Sequence, residues 1–136
     1  MPDCVFCKLV SGEFPSYKLA ETAHSFAFLD INTLSQGHCL VIPKKHHSQI
    51  YEVSKDELQD LAAVLHSLCG KIRQTFNPAG LNILQNNGRI AHQLVEHVHF
   101  HLIPKYETGQ GLGIEWPAKQ GAKEELQAVQ GKLKLA

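Results

Sequence analysis

The chain has 136 residues, of which 43% are hydrophobic and 19% charged, an ordinary composition for one compact globular domain. Thirteen basic and thirteen acidic residues cancel. That balance excludes a strong electrostatic claim on nucleic acid or an anionic membrane, and no apolar run approaches a membrane span.

In chain order, a weak strand over 17–21 is predicted to pair through a turn with a strand over 25–31. A third strand is expected over 38–43. The clearest element is a helix over 55–76, whose start carries Ser54 and Glu57 in capping-box spacing. Leu58, Leu61, Ala62, Leu65, Leu68, Cys69, Ile72 and Phe76 then recur at helical spacing as one apolar stripe. Asn77-Pro78-Ala79-Gly80 stops the helix. Strands follow over 81–85 and 95–103. From 107 the chain turns glycine-rich, and a weaker helix over 123–134 is interrupted by Gly131. This order predicts an α+β domain, an antiparallel sheet covered by one long helix.

Histidine is the unusual residue, with nine copies. In Glu96-His97-Val98-His99-Phe100-His101-Leu102-Ile103-Pro104, a strand would put His97, His99 and His101 on one face, roughly 6.5–7 Å apart. Val98, Phe100 and Leu102 would face the core. Three imidazoles on one face admit three readings: a polar surface without a role, a metal site, or nucleophilic and acid–base chemistry. Just upstream, Asn86-Asn87-Gly88-Arg89-Ile90-Ala91-His92-Gln93 is turn-like. Its backbone amides can cradle an anion, with Arg89 adding charge, or it is a plain connection. Cys4 and Cys7 have the spacing of a redox pair or half a zinc site. Cys39 and Cys69 lie on apolar segments and are expected in the core. His24, His38, His47 and His66 lack an evident second partner and read as surface or internally satisfied histidines. The N-terminus, Met1-Pro2-Asp3-Cys4, lacks the regions of a signal peptide. The expected location is the cytoplasm, with the nucleus as a second compartment, where cysteines remain thiols or metal ligands.

His97-Val98-His99-Phe100-His101-Leu102-Ile103 resembles the motif of the histidine triad family. Cys4 to Lys8, Gly12-Glu13-Phe14-Pro15, Ala27-Phe28-Leu29-Asp30-Ile31 and Gly37 to His46 resemble its other blocks, so the likeness covers nearly the whole chain. Within the family the chain is most similar to the Hint branch. Leu84 to Gly88 and Ile90 to Gln93 look like that branch's fungal adenosine monophosphoramidases.

The resemblance implies a hydrolase that cleaves the P–N bond of AMP–amine conjugates, and acyl-adenylates, through a nucleotidyl-histidine intermediate. By that resemblance His99 is the nucleophile, His101 a phosphate contact, and Gln93 a support for phosphoryl oxygens or the leaving group. Asp30 would hold the ribose hydroxyls, Leu29 and Ile31 the base, and Asn86 the ribose and phosphate. His92 and Leu94 stand in the same segment where many relatives have glycine and serine or threonine. Family comparison also pairs Cys4 and Cys7 with His46 and His97 as a structural zinc set, with no metal needed for catalysis. His97 is then as much an anchor as a catalytic group. A Trp-Pro pair, here Trp116-Pro117, reaches the other subunit's site in Hint homodimers, which would place residues 107–136 near the active site as a C-terminal extension and continue the sheet across the dimer. Two further functions stay open: a dinucleoside polyphosphate hydrolase, and a non-catalytic nucleotide- or zinc-binding interaction protein.

Overall fold

The computed structural model describes residues 3–135. Helix α1 (Val5–Ser11) opens the chain, followed by strands β1 (Lys18–Glu21), β2 (Ser25–Leu29) and β3 (Cys39–Pro43). Helix α2 (Lys55–Phe76), strands β4 (Gly80–Gln85) and β5 (Phe100–Lys105) and helix α3 (Lys123–Leu133) complete it. The sheet is antiparallel with spatial order β1-β2-β3-β5-β4. The expected α+β architecture is present.

The capping box of α2 forms as read, with Ser54 and Glu57 satisfying each other's backbone amides. Asn77, in the left-handed conformation, ends the helix. Leu61, Val64 and Ile72 are buried against Ala27, Cys39, Val41 and Leu102 of the sheet. The predicted stripe differs at its margins: Ala62 lies on the exposed face, Val64 is buried, and Phe76 is 38% exposed.

The opposite face of the sheet carries a second cluster, Phe26, Phe28, Leu40 and Ile42, closed by Phe6 from α1. Strands β2 and β3 are therefore covered on both faces, not by one helix alone. The short α1 was not anticipated, although Phe6, Leu9 and Val10 have helical spacing and pack on this cluster.

The last strand starts later than its pattern predicts. The ladder between β3 and β5 runs from Cys39↔Leu102 to Val41↔Phe100. In that register Pro43, with no N–H to donate, falls opposite Val98, and Val98 N–H bonds instead to the His47 carbonyl at 2.8 Å. His97 and His99 thus precede β5, and both are buried along with Val98 between them.

Asp60 of α2 ties the helix to the β1–β2 turn by accepting hydrogen bonds from Ser25, at 2.6 Å, and from Thr22. These bonds, Ser25 first, hold its carboxyl below the ordinary value. A depressed acid stabilises the fold above its unfolded pKa and loses that contribution as pH falls through the folded one. Asp60→Asn should therefore lower the melting temperature at pH 7 and flatten its decline below about pH 4. Parallel melting curves for the two proteins across pH 6 to pH 2 would exclude this linkage.

Candidate active site

A cleft of about 680 Å³ opens on the α1 face of the sheet, a size ordinary for a small-ligand site. Its floor includes Phe28, Leu40, Leu84, His101 and Ile103 from four strands, and α1 supplies Val5, Phe6 and Leu9 as one wall. Leu29, Asp30, Ile31, Asn86, His92, Leu94, His99 and His101, all expected at a nucleotide site, line this one space. Asp30 and Ile31 follow β2 at one end. Asn86, His92 and Leu94 follow β4 at the other, and the two histidines lie between.

The imidazoles are differentiated by their partners. His99 Nδ1–H donates to the His97 carbonyl at 2.7 Å, which leaves the Nε2 lone pair as the ring's remaining acceptor. His101 is set by a chain that begins in the backbone. Leu34 N–H donates to His38 Nδ1 at 3.1 Å, so His38 carries its hydrogen on Nε2. That hydrogen is given to His101 Nδ1 at 3.0 Å, which leaves His101 with an Nε2–H donor. Burial pushes the His101 pKa down to about 4 and lowers those of His99 and His38. The cleft therefore contains a neutral acceptor imidazole beside a neutral donor imidazole, ring centres 5.0 Å apart.

His38 was read as a surface or satisfied histidine. It is 3% exposed, lines the cleft and orders His101. The available signal was strand parity: His38, Leu40 and Ile42 alternate with Cys39 and Val41, and Leu40 lies opposite His101. Asp30 Oδ2 lies 3.5 Å from His38 Nε2. Asp30, His38 and His101 are close enough to suit a metal ion, but the Leu34 amide fixes the proton on the nitrogen that such an ion would need. His38 and His101 form a hydrogen-bonded pair with the Asp30 carboxylate beside it. His47, also buried, bonds Glu57 at 2.8 Å and braces the start of α2, whereas His24 and His66 are exposed.

Gln93 is 2% exposed and does not line the cleft. Its Oε1 accepts from Gly88 N–H and its Nε2 donates to the Ser48 carbonyl, both at 2.7 Å. Of the two readings of this turn, an anion cradle or a plain connection, four of its amides favour the second. Those of Gly88, Ala91, His92 and Gln93 are all occupied within the turn. Arg89 is exposed and outside the cleft lining. His92 has φ +70°, a left-handed conformation uncommon for a residue with a side chain. The backbone there requires what glycine adopts freely.

His97 does not face the cleft. Its Nε2–H donates to the Pro43 carbonyl at 2.8 Å, and Nδ1 lies 3.3 Å from Cys4 Sγ and 3.6 Å from Cys7 Sγ. Cys7 Sγ lies 3.5 Å from His46 Nδ1, and the four donor atoms fall within 4.8 Å of one another. Sulfur and nitrogen ligands of a tetrahedral zinc lie about 3.5 Å apart, given the usual bond lengths. With Nε2 held as a donor to a backbone carbonyl, His97 offers the correct lone pair. The four residues fit a closed Cys2His2 site for a dication such as zinc. Burial pushes the thiol of Cys39, in the core, up to about 12.

A mononucleotide-sized cleft with paired imidazoles on an antiparallel sheet defines the class, and residues 11–108 match the HIT domain. The chain belongs to that family. It is 48% identical over 126 residues to adenosine 5'-monophosphoramidase hnt1 of Schizosaccharomyces pombe, spanning 93% of this chain and 92% of that protein. It is 45% identical over 135 residues to adenosine 5'-monophosphoramidase HNT1 of Candida albicans, spanning 96% and 89%. The solved histidine triad nucleotide-binding protein from Candida albicans aligns with a TM-score of 0.88 at 46% identity, covering 97% of this chain and 95% of that one. A HIT family member from Bacillus subtilis aligns at 0.93 with 39% identity and 98% of each chain. The family read from the triad and its flanking blocks is confirmed.

Proposed function

We propose that this chain hydrolyses nucleoside phosphoramidates, cleaving the P–N bond of AMP–amine conjugates and the corresponding bond of acyl-adenylates. The observation that carries the reading is the His99 Nδ1–H bond to the His97 carbonyl, which presents a neutral Nε2 lone pair on a ring lining the cleft. Nε2 attacks the α-phosphorus, the P–N bond breaks, and the amine leaves with a proton. Water then attacks the phosphorus of the nucleotidyl-histidine, releasing AMP and restoring the imidazole. His101 Nε2–H donates to a phosphoryl oxygen, Asp30 accepts from the ribose hydroxyls, and the base rests against Ile31 and the apolar wall of α1. Asn86, His92 and Leu94 border the phosphate from the β4 side. Gln93 serves the same site by holding the 88–92 turn. The two named relatives, both adenosine 5'-monophosphoramidases, support this substrate class.

Mass spectrometry after rapid quenching should find AMP on a peptide containing His99. His99→Asn should lower kcat/KM by at least about 10⁴-fold. Equal rates for the variant and the parent would remove His99 as nucleophile.

Zinc is proposed as the resident ion of Cys4, Cys7, His46 and His97, where it would staple the N-terminus to the strand end without entering the reaction. Its binding energy would add to folding stability. Untagged protein should carry one zinc per chain, and Cys7→Ser should carry almost none and melt earlier. A metal content near zero in the parent would refute the site.

The protein is also read as a homodimer whose sheets join at β4, with Trp116 near the partner's cleft. Among the described residues β4 pairs with β5 alone, and its Ile83 is 53% exposed. Trp116 is 78% exposed, and Leu112 upstream of it already lines the cleft. Sedimentation should give a dimer that Ile83→Glu converts to a monomer. A monomeric parent at micromolar concentration would contradict the assembly.

A further inference from the structure

The Cys/His cluster and the cleft share one helix. Cys4 caps α1, accepting the Cys7 amide at 3.4 Å, so both thiols sit at the start of a helix seven residues long. Nothing so short is stable alone. The residues between and after the thiols face the cleft: Val5, Phe6 and Leu9 form its wall. The Phe6 ring meets His99 edge-on at 5.2 Å and His97 at 5.8 Å.

We propose that Cys4 and Cys7 are positioning residues for the nucleotide cleft: metal held by the cluster fixes α1 as the cleft wall, so metal and purine nucleotide bind cooperatively. Phe6 is the connecting piece, packed at once on the ligand histidine and on the cleft histidine. The proposal rests on the reading of the cleft as a nucleotide site and of the cluster as a zinc site. It adds that the two are thermodynamically linked.

Linkage is reciprocal: if zinc tightens AMP by some factor, AMP must tighten zinc by the same factor. Couplings of this kind span about 5- to 150-fold. The full-length protein, zinc-loaded or stripped by a chelator, is titrated with AMP by calorimetry. Zinc affinity is measured with and without AMP against a chromophoric chelator. The expected result is an AMP Kd about tenfold lower with zinc, and the same ratio for zinc in the presence of AMP. Hydrogen exchange should show amides 5–11 losing protection on zinc removal while those of β2 and β3 keep theirs. Phe6→Ala should retain zinc yet reduce the coupling factor towards one. Leu9→Ala, on the same wall and less buried, makes the same test if Phe6→Ala does not fold.

AMP affinity indifferent to zinc, or zinc affinity indifferent to AMP, overturns the proposal. Loss of protection throughout the sheet on zinc removal also overturns it, because the metal would then serve folding at large. The outcomes separate from those for catalysis. Coupling without phosphoramidate hydrolysis keeps this inference and removes the proposed activity. Hydrolysis without coupling does the reverse.

Discussion

The arrangement depends on how one residue, His97, is held. Its ring donates to the Pro43 carbonyl at the end of β3, and its other nitrogen faces the two thiols of the N-terminal turn. Its own carbonyl accepts from His99. One fully buried residue therefore joins the strand end, α1 and the reactive imidazole. Burial pushes the pKa of this ring down to about 4, which favours the neutral form. A positively charged ring here would require desolvating a cation beside other histidines, at a cost of several kcal/mol. The orientation of His99 in the cleft and the Cys/His cluster are thus two consequences of one constraint.

The same economy governs the cleft. His99 and His101 are chemically identical side chains two residues apart, yet one is left an acceptor and the other a donor. The difference originates in backbone groups: the His97 carbonyl for the first, and the Leu34 amide acting through His38 for the second. Leu34 lies in the β2–β3 connection and His97 just before β5, so both tautomers are set by the backbone before a substrate arrives. The 88–92 turn contributes in a different way. The amides of Ala91 and His92 bond within the turn and that of Gly88 bonds Gln93, which braces the turn as a rim of the cleft.

Much of the fold was legible in the chain. The period of α2 and its capping box are local signals, and local signals dictated where that helix starts and stops. Strands β2 and β3 were visible as short runs of β-formers, but their burial on both faces was not, because α1 is too short for its pattern to stand out. The start of β5 was misread because His97, Val98 and His99 alternate like a strand. What ends the ladder is Pro43, distant in sequence and adjacent only through register. The triad, Asp30 and the Cys/His set came from spacing and family likeness, and the structure brings each to its expected neighbourhood. His38 and Gln93 act through hydrogen bonds that no single motif contains: His38 joins the Leu34 amide, four residues back, to the distant His101, and Gln93 joins the Gly88 amide to the distant Ser48 carbonyl. No residue-type pattern encodes those partners.

The charge of the cleft bears on which substrate fits. Among the described residues no lysine or arginine lines it, and its one carboxylate is Asp30, at the end away from Asn86 and Leu94. The phosphate must therefore be received by neutral donors such as His101. Neutral donors stabilise one delocalised negative charge well, but they do not compensate several adjacent ones in a partly desolvated site. A nucleoside phosphoramidate presents a single negative charge at phosphorus and a leaving group that can be neutral. A dinucleoside polyphosphate presents one charge for each phosphate along its bridge. The β4 end of the cleft carries Leu84 and Leu94, which offer apolar surface and no cation to a leaving group there. The absence of positive charge among these lining residues favours the phosphoramidate over the polyphosphate. Charge and leaving-group surface thus reach, independently of the family match, the same choice that the named relatives support.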